Sequence, residues 1–416
     1  MGTEDSGDDE RRRAKQNGDH REDGNRTVGA QQRDTPSYDL DTGGGAEGPS
    51  KPARIPLDGD YSIRPGKATT GRMASSRGAA CVFTLLHCAR RASPYYEVLR
   101  VTEVRTSLDA SWLLRLGAST RRRPRGAVYA AFTLLAAALF PIVGGVIGIG
   151  VGMLGLRLVI GSVDVSSLPP EVAVAGGLVL AFGPIFALVH IWLLAFEGRS
   201  LWTVGFSPDG GLARYARGWA IGIAVFAAPV VAMIVAGLLR PNEQAAGVTG
   251  LAAVPAVTLI GFGWVVQGAA EETLTRGLML QAVALRFGTI AGIGASSLVF
   301  AALHGLNSNL TALALLNLLL FGVFSCLYAL REGSLWGVCA LHSAWNWAQG
   351  QVFGLPVSGG AVPGGSLLSL RPEGTATITG GAFGPEGGLA VTVVLLLGCA
   401  VLLLRPETQQ DARRDD

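Results

Sequence analysis

The sequence predicts an all-α, polytopic membrane protein with about eight transmembrane helices, preceded by a largely disordered N-terminal arm. Three observations predict it. Of 416 residues, 49% are hydrophobic and only 16% are charged, and mean hydropathy is +0.38. Much of the charge lies before residue 126. Beyond it, apolar stretches of membrane-crossing length alternate with short polar or Gly/Pro-rich breaks. The expected organisation is a polar arm over 1–125, a membrane-embedded domain over 126–405 and a charged cytoplasmic tail over 406–416. A net charge of +3 is too small to argue for nucleic acid, and the lipid bilayer is the partner that composition implies.

Residues 1 to about 75 are rich in Asp, Arg, Gly, Ser and Pro, the composition of a disordered tail. The run 79–89 is apolar but too short to span. Tyr95 to Leu116 suits a short helix. With a polar arm first, the first span is expected to act as its own insertion signal. That span, about 127–156, carries Gly144, Gly148 and Gly152 every four residues, which suits close helix contact. Spans two to eight are expected at about 172–196, 218–239, 251–284, 289–304, 310–330, 335–349 and 388–404, with a Gly/Pro-rich loop over 351–386. The cysteines, Cys81, Cys88, Cys326, Cys339 and Cys399, form no metal-type pair, and no disulfide framework is expected.

Basic residues orient the chain. Arg121, Arg122, Arg123 and Arg125 precede span one, and Arg199, Arg214 and Arg217 separate spans two and three. Arg286, Arg331, Arg405, Arg413 and Arg414 continue the same side; Arg157, Arg240 and Arg371 mark the other. The positive-inside rule puts both termini in the cytoplasm of a multi-pass protein of the cell membrane.

Three groups of polar residues interrupt the apolar pattern. Glu271, Glu272 and Arg276 lie within span four, where each charge costs roughly 2.5 to 3.5 kcal/mol to insert. At ~100° per residue, Arg276 lies about 40° from Glu272 but about 140° from Glu271. Glu272 and Arg276 are then an i,i+4 ion pair, and Glu271 points elsewhere without a local partner. His304 ends span five in Phe300-Ala-Ala-Leu-His304. His342 and Asn346 share one face of span seven. Glu271 and His342 fall at roughly 15 and 13 Å from the cytoplasmic end of their spans and can face each other. His304 sits nearer the far side, which requires a tilted, late-starting span five or a 305–309 turn sunk within the protein.

The ordered signatures Glu-Glu-x-x-x-Arg, Phe-x-x-x-His and His-x-x-x-Asn resemble those of the CAAX protease and bacteriocin-processing (CPBP) family of intramembrane endopeptidases. The resemblance covers about Gly198 to Arg405 and includes Leu201-Trp-Thr-Val-Gly-Phe206 and Gly333-Ser-Leu-Trp-Gly-Val338. It implies hydrolysis of a peptide or membrane-protein substrate, CAAX-type or related. Peptide hydrolysis needs an activated water, an oxyanion partner and a proton donor for the leaving amine. Glu271 suits the base, His304 the positioning of water, and His342 with Asn346 the oxyanion; Glu272 and Arg276 would fix the helix and the local charge. Glu271, His304 and His342 also form a donor set seen in catalytic zinc sites, and the family is often labelled metallopeptidase. No His-Glu-x-x-His helix exists, so metal-free glutamate catalysis stands beside the Zn2+ version. The competing readings are a non-catalytic scaffold or bacteriocin-immunity protein on the same fold, and a proton-coupled transporter.

Overall fold

The computed structural model describes residues 107–119, 126–161, 167–243, 247–361 and 363–404. All of them belong to one compact unit, Ser76–Asp416; the other unit, Met1–Ser75, contains none. The expectations for residues 1–106, including Cys81 and Cys88, for Arg121 to Arg123 and Arg125, and for the tail after 404 lie outside the described residues.

The helices follow the apolar segments closely. After α1 (Trp112–Ala118) come α2 (Ala127–Ile160), α3 (Pro170–Trp192), α4 (Gly211–Val235), α5 (Val254–Glu272) and α6 (Leu280–Phe287). Then follow α7 (Thr289–Leu303), α8 (Ala312–Glu332), α9 (Trp336–Trp347) and α10 (Leu389–Leu404). Helices α5 and α6 are joined by a wider π turn, Thr273–Met279, into one apolar rod. Among the described residues, five helices are long and apolar enough to cross a membrane, and α7 and α10 are shorter apolar helices. Large apolar side chains along α2 and α10, such as Ile142, Val146, Leu158, Leu397 and Val401, remain exposed, as a lipid-facing surface requires.

The short α9 is the centre of the bundle. Every residue from Gly337 to Asn346 is buried, and the helix packs on α4 and α5. Its first turn is satisfied by Glu332, whose Oε2 accepts the Gly337 amide at 2.8 Å and whose Oε1 pairs with Arg217 at 2.6 Å. Close approach then follows from missing side chains. A Cβ on Gly268 of α5 would fall 2.6 Å from Ser343 Oγ and 2.8 Å from the Ser343 nitrogen. Likewise the Gly148 step of the expected glycine stripe lies against the Leu180 carbonyl, which brings α2 onto α3.

Three details differ from the sequence reading. Helix α4 starts at Gly211 rather than near 218, because Arg217 has Glu332 to reach and helix can continue past the apolar stretch. Residues 107–119, assigned to the arm, pack into the membrane domain: Leu113 and Leu114 are buried, Ser111 Oγ donates to Leu330 O at 2.6 Å, and Gln281 donates to Leu113 O at 2.9 Å. Arg199 is a buried residue, not a solvated loop cation. Its Nε donates to Glu197 at 2.5 Å, and its Nη1 donates to Thr203 and, at 2.9 Å, to Gln281. It therefore adds nothing to the positive-inside argument.

The 351–386 loop is ordered by pairing rather than by helix. Strand β1 (Leu239–Pro241) pairs antiparallel with β2 (Leu370–Pro372), matching Arg240 with Arg371. Residues 366–370 add backbone bonds to Val248, Gln351, Val352 and Phe353. Asn307 Nδ2 donates to Ser358 O at 3.0 Å and Asn309 Nδ2 to Gly359 O at 3.3 Å, so the turn after α7 is tied to this loop.

Candidate active site

The signature residues arrive from three helices. Glu272 and Arg276 are fully buried, with Arg276 Nη1 donating to Glu272 Oε1 at 3.0 Å. The i,i+4 pair forms although residues 273–279 adopt a π turn, in which the 100° arithmetic no longer holds strictly. Arg276 also donates to Thr275 Oγ1 at 2.7 Å and to Gly322 O at 3.3 Å, and its guanidinium lies 4.5 Å from the centre of the Phe300 ring.

Glu272 has a second partner that the sequence did not announce. Its Oε1 lies 2.8 Å from His342 Nδ1. A carboxylate paired with arginine only accepts, so Nδ1 carries the proton and Nε2 is the free nitrogen. That nitrogen stands 3.8 Å from Glu271 Oε2, beyond hydrogen-bond reach. Glu271 Oε2 is buried and has no partner among the described residues. The side chain that helix geometry left without a partner on its own helix thus keeps an oxygen with no hydrogen bond, and that oxygen faces an imidazole.

His304 is fixed in the same sense. Its Nδ1 lies 2.8 Å from the Phe300 carbonyl, which can only accept, so again Nε2 is the open nitrogen. The Phe300 ring contacts both imidazoles, tilted against His304 with ring centres 4.7 Å apart and edge-on to His342 at 6.0 Å. Asn346 donates through Nδ2 to Gln267 Oε1 at 2.9 Å.

Glu271, His304, His342 and Asn346 line one cavity of about 530 Å³, and Glu272 and Arg276 sit behind it. Its walls are largely aromatic and aliphatic, with Trp264, Phe300, Phe321 and Trp345 among them. Helix α7 starts at Thr289 and not late; His304 reaches the cavity at the turn that Asn307 and Asn309 tie to the loop. Sequence reasoning missed Gln267, which lies one turn before Glu271 and was legible by its i,i+4 spacing. It also missed Thr275, Asn317, Ser358 and Glu386, which line the same cavity. The last two come from the loop, where no helical period points at anything.

The donor types at the site suit zinc, since both imidazoles present Nε2 and a carboxylate oxygen is unpartnered. Among the described residues, however, no three His, Cys, Asp or Glu side chains stand together as a group that could hold a metal ion.

Residues 253–348 match the family described as type II CAAX prenyl endopeptidase Rce1-like. The match supports a CAAX-protease family assignment. The matched segment runs from the start of α5 through α9 and so contains every signature residue from Glu271 to Asn346. No curated protein and no solved structure matches the chain.

Proposed function

We propose that the chain is an intramembrane endopeptidase that hydrolyses a peptide bond of a membrane-associated substrate in this cavity. The observation that carries the reading is the buried, unpartnered Glu271 oxygen facing His342, whose other nitrogen Glu272 engages. Glu271 takes a proton from a water, which attacks the substrate carbonyl carbon. The oxyanion that forms meets Asn346 and His342, while His304 Nε2 orients the water. Glu271 then returns its proton to the amine as the C–N bond breaks. Every step uses protein groups.

Glu272 and Arg276 act through His342: the ion pair fixes the imidazole's tautomer and orientation. The apolar walls suit a substrate segment that arrives from the bilayer, and the termini are proposed to lie in the cytoplasm. The test is cleavage of membrane-embedded reporter peptides by the purified chain and by Glu271→Gln and His304→Ala. Loss of turnover in both, with folding intact, is expected; undiminished turnover in both overturns the reading.

A further inference from the structure

Helices α5 and α9 meet along the cavity in successive rungs of polar side chains. Glu271 Oε2 stands 3.8 Å from His342 Nε2. One turn back on α5 and one turn further on α9, Gln267 Oε1 accepts from Asn346 Nδ2 at 2.9 Å. The pairings run in opposite chain directions, so the two helices are antiparallel. A third rung follows: Trp264 Nε1 donates at 2.5 Å to Gln351 Oε1, in the π turn Ala348–Val352 that continues α9. The seam is close because Gly268 presents no side chain to Ser343. The middle rung has two properties that matter for the site. Gln267 is the one hydrogen-bond partner of the Asn346 side chain among the described residues. The rung is also half open, since two amides can exchange two hydrogen bonds and these exchange one. Among the described residues, Gln267 Nε2 and Asn346 Oδ1 make no hydrogen bond, yet neither is a sealed buried atom, and both residues line the cavity.

We propose that Gln267 is a positioning residue for the hydrolysis: it holds the Asn346 amide so that its second N–H points to the oxyanion formed beside Glu271. The inference rests on the endopeptidase reading. Asn346 Nδ2 carries two N–H groups, and Gln267 Oε1 engages one of them. The direction of the other is thereby fixed before substrate arrives, as a preorganised donor requires. The spacing of the rungs suits this division of labour. A water held by Glu271 at about 2.6–3.2 Å attacks a carbon about 3–3.5 Å away. The carbonyl oxygen then lies about 5.4 Å from the base, one helical turn, which is the step from the Glu271 rung to the Gln267 rung. Without Gln267, the Asn346 amide is free to turn over and present its own oxygen, which repels the developing charge.

The experiment measures kcat and KM for reporter-peptide cleavage by the full chain and by Gln267→Met, Asn346→Ala, their double variant, Gln351→Met and Glu271→Gln. Each kcat is referred to the folded fraction, taken from the unfolding curve of that variant. Methionine keeps the length of glutamine and removes its acceptor. Asn346→Ala is expected to lower kcat about a hundredfold. Gln267→Met is expected to lower kcat about tenfold with KM unchanged. Because Gln267 acts through Asn346, the double variant is expected to match Asn346→Ala alone. Gln351→Met breaks the next rung without touching the amide pair, and is expected to lower the unfolding midpoint and leave kcat as it is. Four results each overturn the inference while a dead Glu271→Gln keeps the endopeptidase reading: an unchanged kcat in Gln267→Met or in Asn346→Ala, a rise in KM alone, a further tenfold loss in the double variant, or an equal loss of kcat in Gln351→Met. A wild-type chain that cleaves no reporter, or a Glu271→Gln chain that cleaves as well as wild type, overturns that reading and this inference with it.

Discussion

Where α3 ends, Glu197 accepts from Tyr129 at 2.7 Å and from Arg199 at 2.5 Å, and Arg199 goes on to Thr203 and Gln281. Where α5 ends, Glu272 and Arg276 pair at 3.0 Å and Glu271 stands beside them. Both clusters bury an acid with an arginine in an apolar bundle. They are finished differently. No side-chain atom of Glu197, Arg199, Gln281 or Tyr129 is a buried atom left without a partner, whereas Glu271 Oε2, Glu272 Oε2 and Arg276 Nε all are. A buried polar atom without a partner costs about 1–3 kcal/mol. The second cluster also adjoins a cavity, which Glu271 lines. The difference teaches that buried charge alone does not mark a site: completed pairing marks structure, and hydrogen-bonding capacity held in reserve beside a cavity marks chemistry.

Substitutions can break that contrast. The largest effect is expected from Glu271→Gln, which should lower reporter-peptide turnover about a thousandfold with little change in unfolding midpoint. Glu197→Gln should do the reverse, weakening the fold while the folded fraction keeps its turnover. Equal loss of turnover in the two would erase the distinction. Arg276→Ala and Arg199→Ala should each destabilise by about 3–5 kcal/mol, since each strands a buried carboxylate. Denaturant unfolding in mixed micelles, followed by tryptophan fluorescence, measures this. Only Arg276→Ala should also slow the folded fraction, because His342 depends on the carboxylate that arginine holds. His304→Ala is expected to lower turnover about a hundredfold without moving the unfolding midpoint, as its one hydrogen bond is to its own helix. The smallest effect is Gly268→Ala, expected to destabilise by about 1–3 kcal/mol by pushing α5 off Ser343.

Much of the fold was legible because apolar length is a one-dimensional signal. The eight expected spans correspond to α2, α3, α4, the α5–α6 rod, α7, α8, α9 and α10, within a few residues apart from the start of α4. The Glu272–Arg276 pair was legible for the same reason, being local to one helix. The Glu272–His342 bond was not. It depends on the rotation of α5 against α9, which the contact at Gly268 and the π turn set and which no spacing within either helix encodes. Arg199 misled because loop cations are usually solvated. Gly198 adopts a left-handed conformation (φ +64°), which folds Arg199 back onto Glu197 two residues earlier. Glu386 was illegible because nothing in a Gly/Pro-rich stretch indicates that it returns to the bundle interior.

The loop threaded over the His304 turn sets a boundary on what a fragment of this protein could do. A chain trimmed to residues 253–348 would keep the acid, the imidazoles and the amide, yet it would lose Ser358 and Glu386 from the wall of the cavity, since both lie beyond the cut. Water would then reach the chamber more freely, and the unpaired oxygen of Glu271 would face bulk solvent.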